Sequence, residues 1–163
     1  MRALGHSVWL MPSGDPQVHL NRRIAALSER LDTRPFPAHV TVAGQLDLDL
    51  DALSEKLRAI ARVHARLALT LEHCAGEERW FRCLFHHVGR TPELEALHEA
   101  VAGPTAWTPH LSICYGDLPV EKKAPIMADA KPPVGGFVAD SLHLWRTDGP
   151  VDAWRPLAVF PLG

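Results

Sequence analysis

The chain has 163 residues, 47% hydrophobic and 22% charged, with a formal charge of −2 at pH 7. That length can bury roughly two thirds of the unfolded surface in one domain. A charge so near neutral excludes strong sequence-independent binding to a nucleic-acid backbone, although a small anionic ligand needs only a local site. Cys74, Cys83 and Cys114 are an odd number without Cys-x-x-Cys spacing, so neither a disulfide framework nor a zinc cage is expected, and free thiols suit a reducing compartment. No apolar run approaches the ~18 residues of a membrane span, and the N-terminus lacks the pattern of a signal peptide. A cytoplasmic protein without membrane association, acting as a monomer, is expected.

Leu4 to Met11 is apolar and stops at Pro12-Ser13-Gly14, which predicts a first strand. Asp15-Pro16 reads as a helix start, and Leu20, Ile24, Leu27 and Leu31 form the apolar stripe of that helix. Arg34-Pro35-Phe36-Pro37 breaks it, and a strand beginning near His39 runs to about Leu46. A second helix is expected over Asp49 to His64, then a half-buried strand through Leu67, Leu69 and Leu71, then a strand over Trp80 to Val88. Thr91-Pro92 starts a third helix ended by Gly103-Pro104. A strand to about Gly116, a helix over Leu118 to Ala130, and strands over Val138 to Arg146 and Pro156 to Leu162 complete the chain. The order predicts a single α+β domain over residues 1–163, with two similar lobes.

Two short segments stand out. His39-Val40-Thr41-Val42 and His110-Leu111-Ser112-Ile113 both read histidine, apolar, hydroxyl, apolar, with a proline just upstream. Residues i and i+2 of a strand share a face, so each segment would present one imidazole and one hydroxyl while its apolar residues enter the core. None of the other histidines satisfies even the shorter His-x-Ser/Thr pattern. Two such segments facing one another suit the opening of a cyclic phosphodiester by water. That reaction needs a base on the water and an acid on the leaving oxygen, and imidazole serves both near neutral pH. The Thr41 and Ser112 hydroxyls could donate hydrogen bonds to non-bridging oxygens. Nothing in this scheme requires a metal or a cofactor.

On these tetrapeptides the sequence resembles the 2H phosphoesterases, and within them most resembles the cyclic phosphodiesterase branch. The likeness extends to Ser7-Val8-Trp9-Leu10-Met11-Pro12, Trp80-Phe81-Arg82-Cys83, Thr91-Pro92-Glu93, Arg146-Thr147-Asp148 and Trp154. The resemblance implies a two-lobed pseudo-symmetric α+β fold, with antiparallel sheets lining a central cleft and helices outside. It implies His39 and His110 as the acid–base pair, Thr41 and Ser112 as phosphate clamps, and no metal. The implied substrates are nucleoside 2′,3′-cyclic phosphates or ADP-ribose 1″,2″-cyclic phosphate, opened to leave a 2′-phosphate on a nucleoside. Tyr115 matches an aromatic position lining the cleft, and Trp80 and Phe81 an aromatic pair placed to stack on a base. Tyr115 has the wrong parity to share a face with His110, so a bulge or a rim position is required. Arg82 stands where a neutral amide is expected, and reads either as a further phosphate contact or as a solvent-facing charge.

His86 and His87 should point to opposite faces of a strand and so cannot share a metal there. His64, His73 and His98 read as surface or boundary residues, and Cys114 as a small buried apolar one. Two rival functions remain: processing of RNA ends or of 2′,5′ linkages, and a non-catalytic nucleotide- or RNA-binding module.

Overall fold

The computed structural model describes residues 5–129 and 131–163. Leu4 and Ala130, expected to open the first strand and close the fourth helix, lie outside the described residues. In chain order the elements are β1 (His6–Leu10), α1 (Gly14–Leu31), β2 (Val40–Leu46), α2 (Leu50–Val63), β3 (Leu67–Ala75) and β4 (Leu84–Val88). Then come α3 (Pro92–Ala102), β5 (His110–Cys114), α4 (Val120–Ala128), β6 (Gly136–Ala139), β7 (Ser141–Arg146) and β8 (Arg155–Pro161).

Local chemistry accounts for most boundaries. The Asp49 and Thr91 side chains accept from the backbone N–H groups of Ala52 and Leu94, capping α2 and α3. The first helix starts at Gly14, two residues before the expected Pro16, so Asp15 is not its cap. Ser13 holds the N-cap position without a side-chain hydrogen bond, and Asp15 sits in the first turn, where it complements the helix dipole. Leu20, Ile24, Leu27 and Leu31 are all buried, as their spacing predicts. A difference occurs at Trp80–Arg82, expected to be strand, which forms a single 3₁₀ turn. Hydrogen bonds from Glu77 N to Arg82 O and from Arg82 N to Arg79 O, both 3.1 Å, close that turn and delay the strand to Leu84.

The strands form one antiparallel sheet of eight, in the order β6-β3-β4-β5-β2-β1-β7-β8. Its two halves, β6-β3-β4-β5 and β2-β1-β7-β8, correspond to the two expected lobes. Among the described residues they meet through a single residue pair, Val40 opposite Leu111. Helix α1 packs on β5 and α3 on β2, so the helix that precedes each histidine strand covers the histidine strand of the other half. The predicted strand Val138 to Arg146 is in fact two strands. Asp140 alone separates β6, at one edge of the sheet, from β7, next to the other edge. That junction is possible only because the sheet curls until its edges approach, and Leu162 N donates to Asp140 O at 2.9 Å across the gap. Among the described residues no helix is long and apolar enough to cross a membrane.

Because the halves diverge beyond Val40 and Leu111, β2 carbonyls on that side need other partners. His98, expected to be a surface or boundary residue, is buried for this reason: its Nδ1–H donates to Val42 O at 2.8 Å. Its ring stacks on Trp107 at 4.2 Å, and Trp107 Nε1 donates to Thr41 O at 3.1 Å. Replacing His98 by Phe keeps the stacking ring but orphans the buried carbonyl. A loss of about 1–3 kcal/mol in unfolding free energy is expected from chemical denaturation of His98→Phe.

Candidate active site

The Val40–Leu111 pair sets the geometry of the two motifs. Counting one residue each way in this antiparallel register places His39 across from Ser112 and Thr41 across from His110. All four therefore lie on one face, and all four line a cavity of about 180 Å³ together with Phe81, Arg82 and Tyr115. Val40, Leu111 and Ile113 point the other way and are fully buried in the core.

Both histidines are oriented in the same manner. His39 Nδ1 lies 2.6 Å from Pro37 O, and His110 Nδ1 lies 2.8 Å from Thr108 O. A carbonyl two residues upstream thus takes the Nδ1 proton in each case, leaving Nε2 with its lone pair. The Pro37 loop is tied back to α1 by Ala38 N donating to Asn21 Oδ1 at 2.8 Å. The His39 ring stacks on Trp9 at 3.6 Å and is 4% exposed. Burial is the main cause holding its pKa down to about 3, opposed by the Pro37 carbonyl and reinforced by His110. Burial likewise lowers His110, with the Thr108 carbonyl opposing and the Arg82 guanidinium reinforcing.

Both motifs end in a bulge. Along β1 and β2 the pairing steps from Val8–Ala43 to Trp9–Thr41, skipping Val42. Along β4 and β5 it steps from Leu84–Cys114 to Phe85–Ser112, skipping Ile113. An extra residue reverses strand alternation. Beyond the first bulge Gly44 and Gln45 turn onto the cavity, and beyond the second Tyr115 does so. Cys114 is carried away from it and is fully buried, its Sγ 3.6 Å from Thr33 Oγ1. The Tyr115 ring stacks on Phe36 at 3.7 Å, and its hydroxyl lies 3.3 Å from His39 Nε2, to which it donates. Burial raises the Tyr115 pKa, which keeps that proton in place.

Of the aromatic pair, Phe81 lines the cavity and stands edge-on to Tyr115 at 5.1 Å. Trp80 does not line it; it faces neighbouring grooves beside Gly116 and Asp117. The two hydroxyls differ. Ser112 Oγ donates to Phe81 O at 2.6 Å, whereas the Thr41 hydroxyl has no hydrogen bond among the described residues. Sequence reasoning assigned no role to Ser7, Trp9, Gln45, Thr147 and Trp154, which complete the wall. The alternation Ser7-Val8-Trp9-Leu10 is the one local signal that could have found the first two. His86 and His87 point to opposite faces as expected. His86 is buried with Nδ1 3.0 Å from Glu72 O, and His87 packs against His73. Among the described residues, no three His, Cys, Asp or Glu side chains are grouped to hold a metal.

A curled antiparallel sheet carrying two histidine–hydroxyl strands at its centre defines the 2H phosphoesterase architecture. Consistent with this, the sequence matches the profile of the 2′-5′ RNA ligase superfamily over residues 16–150, and the chain belongs to that superfamily. Comparison with curated protein sequences finds no match. Among solved structures, the fold is similar to apo LigT of E. coli, with a TM-score of 0.67 at 14% identity over 99% of both chains. LigT complexed with 3′-AMP gives a TM-score of 0.64 at 14% identity over 99% of both chains. A protein of Thermus thermophilus gives 0.66 at 14% identity over 98% of both chains. At such identities the likeness speaks for the fold.

The buried histidines couple stability to pH. The native His39 pKa, about 3, lies below the 6.5 of an unperturbed imidazole. Its contribution is therefore complete above about pH 6.5 and declines as the pH falls, since the unfolded chain then takes up a proton that the native site refuses. Between pH 7 and pH 5 this one group should remove about 2 kcal/mol. Thermal denaturation at the two pH values should show the fall in wild type, and a smaller one in His39→Gln.

Proposed function

We propose that this protein hydrolyses a cyclic phosphodiester on a small nucleotide to a phosphomonoester, with His39 and His110 as the acid–base pair. The candidate substrates are a nucleoside 2′,3′-cyclic phosphate, leaving a 2′-phosphate, and ADP-ribose 1″,2″-cyclic phosphate. The observation that carries this reading is the matched pair of imidazoles, each anchored through Nδ1 and both lining one cavity, with His39 Nε2 accepting from the Tyr115 hydroxyl.

In this scheme one Nε2 takes a proton from water as the oxygen attacks phosphorus. The other, protonated, gives its proton to the departing ribose oxygen as the P–O bond breaks. The proton count is unchanged over the cycle, and no metal is called for. Thr41, whose hydroxyl has no hydrogen bond among the described residues, donates to a non-bridging oxygen. Binding of an anionic phosphate raises both imidazole pKa values, so the singly protonated pair that the reaction needs forms with substrate present. The aromatic wall of Trp9, Phe81, Tyr115 and Trp154 suits a nucleobase or ribose. The LigT structures complexed with 3′-AMP and with phosphate fit a small nucleotide ligand.

Hydrolysis of 2′,3′-cyclic mononucleotides should persist in a chelator. His39→Ala and His110→Ala should each lower turnover by about two orders of magnitude or more. Thr41→Ala should cost about one neutral hydrogen bond, roughly five- to tenfold. The bell-shaped profile of kcat/KM, which reports the free enzyme, should be centred on the acid side of pH 6.5, and that of kcat at higher pH. Abolition of activity by the chelator would overturn the two-histidine scheme. Unchanged rates in both His variants would favour a binding module. Cleavage of 2′,5′-linked dinucleotides without cyclic phosphodiesterase activity would favour the linkage-processing reading.

A further inference from the structure

We infer that Arg82 is an anion-binding residue of this cavity, supplying the charged donors for a phosphate oxygen on the β5 side, where Ser112 is not free to donate. The inference deepens the proposed reaction and rests on it for the identity of the phosphate, but anion binding can be tested without turnover.

The first ground is charge. Arg82 is the one Arg or Lys among the described residues lining the cavity. Burial holds both imidazoles toward their neutral forms in the free protein. Without Arg82 the walls would offer an entering phosphate no permanent positive charge to offset its lost hydration.

The second ground is the broken symmetry of the two hydroxyls. On β2, the Thr41 hydroxyl has no hydrogen bond among the described residues. On β5, the Ser112 proton is committed to Phe81 O at 2.6 Å. That bond grips the 3₁₀ turn whose last residue is Arg82, so the Ser112 hydroxyl acts on this side by positioning the turn.

The third ground is that Arg82 is held in place with donors to spare. Its side chain is 18% exposed, and Nη2 lies 2.7 Å from Glu77 Oε2. The guanidinium sits 6.0 Å from the centre of the Phe85 ring. Among the described residues Glu77 is its only side-chain partner, which leaves most of its five N–H groups unused. The turn itself is fastened on three further sides. Glu77 N donates to Arg82 O at 3.1 Å, Gly116 N donates to Trp80 O at 3.0 Å, and the buried Lys123 donates through Nζ to Glu77 O at 3.0 Å. A donor fork fixed before binding loses little freedom when an oxyanion arrives.

Titration of inorganic phosphate into the full chain by calorimetry tests the assignment. Arg82→Gln should weaken phosphate binding about ten- to a hundredfold, the range of a charge-assisted pair. Arg82→Lys should recover part of it, because it restores the charge but not the fork. Arg79→Gln, on a side chain 71% exposed that reaches Glu77 from the solvent side, should bind as wild type does. A folded Arg82→Gln variant, verified by circular dichroism, that binds phosphate within twofold of wild type would overturn the assignment. So would a wild type that binds no phosphate. Phosphate binding through Arg82 without hydrolysis of any cyclic phosphodiester would retire the reaction and leave the anion site standing. Hydrolysis with full phosphate affinity in Arg82→Gln would do the reverse.

Discussion

Everything at the centre of this molecule depends on one strand pairing, Val40 against Leu111. Among the described residues it is the only pair joining the two halves of the sheet, and it fixes the antiparallel register of the two histidine strands. A slip of one residue would send His39 and Thr41 into the core and Val40 into the cavity. The pairing survives on so few backbone bonds because packing defends it. Val40 and Leu111 are fully buried, and each histidine strand is covered by the helix preceding the other. The exchange of helices makes the halves interdependent, so the register of the site is a property of the whole core.

The same economy opens the cavity. Had β2 and β5 paired along their length, their carbonyls would have been satisfied by one another and the face above them would have been flat. Because they part, His98 and Trp107 serve the β2 carbonyls instead. The bulges at Val42 and Ile113 then turn the following residues inward. Two irregularities in equivalent places create a concave surface that regular strands would not have given.

How much of this was legible follows from how local each cause is. The His-x-Thr and His-x-Ser segments could be read because strand alternation acts over three residues. The helices could be read from their stripes and caps. Tyr115 required a bulge that the tetrapeptide alone could not locate, since the bulge exists only relative to β4. Trp9 and Trp154 were invisible as site residues because the curl of the sheet brings them to the cavity from elements far apart in sequence. The break at Asp140 has a weak local signal, the strand-disfavoured Asp140 itself between two β-prone runs, and the approach of the sheet edges is what turns that signal into a change of strand. The 3₁₀ turn at Trp80–Arg82 depends on Glu77 and on the β5 hydroxyl, neither of which marks the segment as non-strand.

Pseudo-symmetry would make the two sides of the cavity equivalent, and the residues after the bulges ensure that they are not. On the β2 side the residue five past the histidine is Gly44, where an added Cβ would meet only Thr41 and Ser7 at ordinary contact distance. On the β5 side it is Tyr115, whose ring fills the equivalent space and whose hydroxyl reaches across to His39. At this position the β2 side is left open and the β5 side is filled by a ring. The charge is distributed the opposite way, since Arg82 stands beside His110 and no cation stands beside His39 among the lining residues described. One side offers space and an uncharged hydroxyl, and the other a guanidinium and a closed aromatic wall. The two chemically similar histidines thus have distinct neighbours, Arg82 beside His110 and the Tyr115 hydroxyl beside His39, and a ligand entering the cavity meets two unlike sides.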